Sequence, residues 1–149
     1  MKTISNNLNA TLSLLLSSSL LLGAYFLEFY LSLIPCDLCI KQRIVHVFIL
    51  ILSLLIFPLY TLSKLRFIML SILNLLWLGS SFLALYHFGI EKKLWQGFSE
   101  CSSNLTFNEN TLDQLLSKSP IRCDEKQFEL LDISLAGWNG ILSMSIFII

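Results

Sequence analysis

Residues 8–34 form an apolar run of 27 residues interrupted by a single charge, Glu28, and that length limits where the chain can fold. At about 1.5 Å of helical rise per residue, the run exceeds the roughly 30 Å hydrocarbon core of a bilayer. It lacks the shorter apolar region and the small-residue cleavage site of a secretory signal, so it reads as an uncleaved first transmembrane helix. Glu28 lies in the outer third of that helix. An ionisable group at such depth either serves function or pairs and snorkels near the interface.

Further apolar runs follow. Residues 44–62 contain only His46 near the start and Pro58 near the end as interruptions, and residues 63–66 read as a tight turn. Residues 67–90 carry Asn74, the small patch Gly79-Ser80-Ser81 that permits close helix contact, and His87. Residues 91–134 change character, with eight acidic and five basic residues, and read as an extramembrane loop. The last run, 133–149, is short: 15 residues from 135 rise only about 22 Å, a marginal span. With 55% hydrophobic and 13% charged residues and a mean hydropathy of +0.73, the chain carries too much apolar surface for a soluble domain. Formal net charge is zero and there is no basic block, which argues against a nucleic-acid partner. The expected architecture is one all-α membrane domain over residues 1–149, a four-helix bundle with spans near 8–34, 44–62, 67–90 and 133–149.

Two loops separated by two spans share a side of the membrane. Residues 35–43 and 91–134 hold all four cysteines, Cys36, Cys39, Cys101 and Cys123, so the crossings bring these to one compartment. The opposite side shows Lys2, Lys64 and Arg66 without an acid, against Lys41 and Arg43 in the first loop. That bias, and an even cysteine count suited to an oxidising compartment, place the cysteines outside the cytoplasm.

The stretch Pro35-Cys36-Asp37-Leu38-Cys39-Ile40-Lys41-Gln42-Arg43 is polar and redox-capable between two apolar runs. A Cys-x-x-Cys pair closes into an easily exchanged disulfide, and a cation or a helix N-terminus favours a thiolate. If the second helix begins near Cys36, then Cys36, Cys39, Arg43 and His46 recur at three- and four-residue steps along one face. Arg43 and the helix N-terminus then favour a thiolate at Cys39, whereas Asp37 opposes it. His46 serves either as a polar core residue or in the redox chemistry.

Other uses of four cysteines stay open. Zinc folds usually present two close pairs, while Cys101 and Cys123 are separated by 21 residues, so no metal is assigned. A c-type haem would need His where Ile40 stands. Two static disulfides in a non-enzymatic membrane protein would account for the cysteines but not for Arg43. In the long loop, Thr111 is placed to cap a short helix with Leu112, Leu115 and Leu116 on one stripe. Asn104-Leu105-Thr106 matches a glycosylation acceptor, to which no function is attached.

Over almost its whole length the chain resembles the disulfide bond formation protein B family. The resemblance rests on Pro35-Cys36-Asp37-Leu38-Cys39-Ile40 with Arg43 four residues on, on Cys101 and Cys123, and on Pro120-Ile121-Arg122-Cys123-Asp124-Glu125. It extends to Ala136-Gly137-Trp138-Asn139 opening the last helix, and to Tyr86-His87 through Glu91 with Trp95 before Cys101. It implies a bacterial inner-membrane thiol oxidase with both cysteine loops facing the periplasm. Cys101 would form the mixed disulfide with a periplasmic DsbA-like partner, and Cys123 would pair with it. Electrons would pass to Cys36 and Cys39 and then to a membrane quinone, ubiquinone or menaquinone. The same resemblance puts Cys39 toward the quinone, with Arg43, His87 and Glu91 as cofactor-binding residues. A vitamin K epoxide reductase-like enzyme shares a helical bundle and a Cys-x-x-Cys, but the motif's place between the first two helices argues against it. The chain departs from the family in ending at Ile149 without a basic tail.

Overall fold

The structure, a computed structural model, describes residues 2–59, 61–97, 122–126 and 128–148. It is mostly helical: α1 spans Lys2–Leu31, α2 Asp37–Ile56, α3 Ser63–Glu91 and α4 Leu135–Ile148, with a 3-10 turn at Phe57–Leu59. Three stretches are long and apolar enough to cross a membrane, Asn7–Leu31, Asp37–Leu59 and Ser63–Glu91. The fourth apolar helix has 14 residues, about 21 Å of rise, and is shorter than the hydrocarbon core.

Two helix starts differ from the hydropathy reading. The second helix begins at Asp37, seven residues before the apolar run, because Cys36 caps it: its backbone is extended and its sulfur accepts from Cys39 N at 3.3 Å. The third begins at Ser63, so the presumed turn 63–66 is the first turn of α3. Arg66 there is 3% exposed and donates to Asn7 Oδ1 on α1, which lets a charged side chain sit inside the helix packing.

α1 packs on α2, α2 on α3, and α3 on α4. Ala10, Ile49, Ile56, Leu73 and Trp77 form the apolar core of the bundle. The Gly79-Ser80-Ser81 patch does lie against the last helix: Ser81 Oγ donates to Gly140 O at 3.1 Å, and Ser80 Oγ is 3.1 Å from Ser143 Oγ. A second buried cluster at the other end of α2 joins Cys36, Leu38, Ile90 and Cys123.

The end of α3 is closed by a Schellman arrangement. Leu94 N bonds Gly89 O and Lys93 N bonds Ile90 O, both at 2.9 Å, with Lys93 in the left-handed region at φ 59°. Trp95 then folds back so that its Nε1 donates to Tyr86 O at 3.1 Å, with its ring stacked on Tyr86. The indole lies directly on Gly89, where an added Cβ would stand 2.0 Å from the ring, so only glycine admits this return.

Before α4, Glu129–Leu130 (β1) and Ile133–Ser134 (β2) pair antiparallel through a two-residue turn. Leu131 and Asp132 in that turn have φ of 55° and 61°, as a type I′ hairpin requires. Ser134 leads straight into α4, and its Oγ accepts from Gly137 N at 3.2 Å, capping the helix.

Candidate functional site

The site is assembled where the start of α2, the end of α3 and the start of α4 meet. Cys36 and Cys39 are free thiols whose sulfurs lie 2.9 Å apart. Cys36 is 3% exposed at the N-cap, and Cys39 stands one turn inside the helix. From α3, His87 Nε2 lies 3.6 Å from Cys36 Sγ, and from its last residue Glu91 Oε1 lies 3.7 Å from the same nitrogen. The α4 cap Ser134 donates to Glu91 Oε2, so one hydroxyl ends the hairpin, caps a helix and orients a buried carboxyl.

These contacts decide which sulfur carries charge. The Cys39 thiol beside Cys36 pulls the Cys36 pKa down to about 5 from an ordinary 9.0; burial opposes this, and the hydrogen bonds from His87 and from Cys39 N assist. In the reduced pair this geometry favours the anion at Cys36, whereas the sequence sets Arg43 against Asp37 at Cys39. Arg43 does not reach the sulfurs with a free charge: it ion-pairs with Glu28 on α1, donates to Ala24 O at 3.3 Å and stacks over Tyr25 at 5.1 Å. Asp37, expected to oppose the thiolate, is paired with Lys41 at 2.6 Å.

A cavity of about 220 Å³ opens between α1 and the three other helices. Apolar walls from Leu20, Leu27 and Leu135 enclose it, while Cys39, Arg43, His87 and Glu91 bring polar groups to it. Those groups fit a flat, lipid-soluble ring with carbonyl oxygens: Arg43 supplies a cation, His87 a ring nitrogen, and both Cys36 and Cys39 are among the lining residues. Cys36 Sγ, Cys39 Sγ and a His87 nitrogen also lie within 4.8 Å of one another, the one soft-ligand cluster among the described residues.

Of the residues singled out in the sequence, Cys36, Cys39, Arg43, His87 and Glu91 thus line one cavity. Cys123 packs in the cluster with Cys36 and is disulfide-bonded. Cys101, the Thr111 helix and the Asn104 acceptor lie outside the described residues. Beside Cys123, Arg122 pairs with Asp124 at 2.7 Å, holding the guanidinium pKa up and the carboxyl down.

Two buried residues of the site were not singled out. Gln42 is 7% exposed and Asn139 8%, and each bonds the other and a histidine. Gln42 falls on the buried stripe Leu38, Gln42, His46, Ile49, Ser53 and Ile56, so a polar residue at helical spacing from His46 was the available signal. Asn139 was seen only as part of a tetrapeptide.

A similar curated protein is the uncharacterized protein RP370 of Rickettsia prowazekii, 26% identical over 130 residues, which cover 84% of this chain and 74% of the relative. The family model described as disulfide bond formation protein DsbB matches residues 6–149, essentially the whole chain. With a free Cys-x-x-Cys capping a membrane helix and a match of that extent, the chain belongs to the DsbB family of membrane disulfide-formation proteins.

Proposed function

We propose that the protein is a membrane thiol oxidase that reoxidises a periplasmic DsbA-like thioredoxin-fold protein and passes the electrons to a membrane quinone. The observation that carries this reading is the free Cys36–Cys39 pair opening onto the cavity, with a disulfide-bonded Cys123 packed in the same cluster as Cys36. One reactive dithiol and one disulfide in a single cluster are the components of an exchange relay. Static staples would leave no thiol pair free.

The roles follow from placement. Cys101, the remaining cysteine of the chain, is the proposed partner of Cys123 and the sulfur that meets the reduced partner protein. Exchange between that pair and Cys36–Cys39 conserves the disulfide while moving it toward the partner. Cys36 is the proposed exchanging sulfur, since its anion is favoured and Cys123 shares its cluster. Cys39 lines the cavity. A quinone held there would supply a two-electron, two-proton oxidant. Arg43, fixed by Glu28, would orient it, and the walls from α1 and α4 would exclude water. His87 would hold a hydrogen bond to the Cys36 sulfur, and Glu91, 3.7 Å from the same ring nitrogen, would face that histidine from the end of α3. The orientation proposed is that of the inner membrane of a bacterium with the cysteines outward, where quinone and an oxidising compartment meet.

Thiol trapping tests the proposal. Reduced DsbA-like dithiol should reduce Cys36–Cys39, and only added ubiquinone or menaquinone should restore it. Cysteines that ignore both the dithiol and the quinone would overturn it.

A further inference from the structure

Beneath the cysteines, buried polar side chains form one continuous line. Gln42 Nε2 faces His87 Nδ1 at 3.0 Å, Asn139 Nδ2 donates to Gln42 Oε1 at 2.8 Å, and Asn139 Oδ1 faces His46 Nε2 at 2.8 Å. Ser143 Oγ, 3.2 Å from Asn139 Oδ1, donates to it. All five residues are 8% exposed or less, so none of these bonds is exchanged for water at little cost.

Each amide has one donor end and one acceptor end, so such a line has two self-consistent polarities. In the first, His46 Nε2–H donates to Asn139, Asn139 to Gln42, and Gln42 to His87 Nδ1, which leaves the His87 proton on Nε2. In the second, both amides are turned over, His87 donates from Nδ1, and His46 accepts at Nε2 and carries its proton on Nδ1. His46 Nδ1 chooses between them. It is buried and has no hydrogen-bond partner among the described residues. The second polarity would strand an N–H there, and stranded buried donors are rarer than under-used acceptors. The first leaves only a lone pair unpaired.

We propose that His46, Asn139 and Gln42 are positioning residues that fix His87 as the neutral Nε2–H tautomer and aim its proton at Cys36 Sγ, 3.6 Å away. A residue at the middle of a membrane helix thereby sets, through two amides, which nitrogen meets the reacting sulfur. This rests on the reading of Cys36 as the exchanging sulfur. Other groups face the sulfur or its cavity: Cys39 from α2, Glu91 from α3, Glu125 after Cys123, and Arg43 with its partner Glu28. The Cys123 backbone also bonds the His87 ring. In that polarity Nε2 carries the proton, so a metal ion at the Cys36, Cys39 and His87 cluster would require the whole line to reverse.

The chain has two histidines, so nitrogen-15 histidine labelling of the full-length reduced protein in lipid nanodiscs gives two imidazoles to resolve. At pH 8, His87 is expected to show a pyrrole-like Nε2 and a pyridine-like Nδ1. Gln42→Met should move both His87 resonances toward a tautomer average and raise the midpoint of the Cys36 alkylation profile by about one pH unit. His46→Phe, which touches neither His87 nor a sulfur, should move the His87 resonances in the same direction. A wild-type His87 protonated at Nδ1 or at both nitrogens overturns the assignment, and that spectrum decides even if a variant does not fold. Unchanged His87 tautomers in both folded variants overturn it as well. Absence of quinone-coupled turnover with the expected spectra would refute the oxidase reading and leave the tautomer assignment standing.

Discussion

His87 Nε2 lies 3.6 Å from Cys36 Sγ although the two residues are 51 positions apart, one at the end of α3 and the other at the start of α2. That contact, with the Cys39 sulfur on the other side, makes Cys36 the acidic thiol of the pair.

Alkylation of reduced Cys36 by iodoacetamide should therefore follow a titration with its midpoint near pH 5, well below an ordinary thiol near 9.0. Substituting Cys39→Ala should raise that midpoint more than His87→Phe does, because the Cys39 hydrogen bond is the larger cause. A midpoint above pH 8 in the wild type would contradict the geometry.

The same shift has a sign for stability. The unfolded thiol holds its proton up to about pH 9 while the folded one releases it near 5, so between those values the unfolded state binds more protons. The reduced protein should gain stability as pH rises from about 5 toward 9 and lose it as pH falls through 5. Melting temperatures of reduced protein and of a Cys36→Ala variant, compared over pH 5 to 8, should converge at the acid end.

Arg43→Met should leave the half-buried Glu28 carboxyl without its cation. Both side chains retain some exposure, 17% and 30%, so a loss of about 1–2 kcal/mol is expected, below that of a fully buried pair. Adding Glu28→Gln should recover part of it, and denaturant unfolding in detergent reads both. On the proposed function, Arg43→Met also raises the quinone KM about tenfold, equivalent to about 1.4 kcal/mol.

Ser134→Ala removes the α4 cap and a donor to Glu91 at once. The cap alone is worth about 1 kcal/mol. Amide hydrogen exchange in the first turn of α4, at residues 135–138, should accelerate while that in the core of α2 stays unchanged. Equal acceleration in both would mean that Ser134 is not a local cap.

Gly89→Ala should expel the Trp95 indole from α3, since the new methyl occupies the ring position. Of the three tryptophans, Trp95 should then be the one whose fluorescence shifts to the red, with a stability loss of about 1 kcal/mol, small because the ring is half exposed.

Much of the fold follows from the chain read alone. Long apolar runs can bury their backbone in lipid only as helices, so three membrane-crossing helices and a short fourth were legible from length and composition. The Cys-x-x-Cys pair was legible too as a candidate site, because its place next to a polar, cationic stretch needs no tertiary contact to recognise. The apolar run begins at residue 44, whereas the spacing of Cys36, Cys39, Arg43 and His46 already allowed a helix from near Cys36, and the Cys36 cap starts it at Asp37.

What only the tertiary structure decided is the partnership of each polar residue. Glu28 was visible as a charge within an apolar run and Arg43 as a cation beside the cysteines, yet nothing in their spacing pairs them, because they stand on different helices. The acidity of Cys36 is led by Cys39 within its own motif and assisted by His87 from α3, and the proposed tautomer of His87 depends on Gln42, Asn139 and His46 from α2 and α4. Apolar periodicity determines that helices form and which faces are buried, since it acts within one element. Hydrogen-bond direction and proton position are set between elements, where a few ångströms of packing choose the donor and the acceptor.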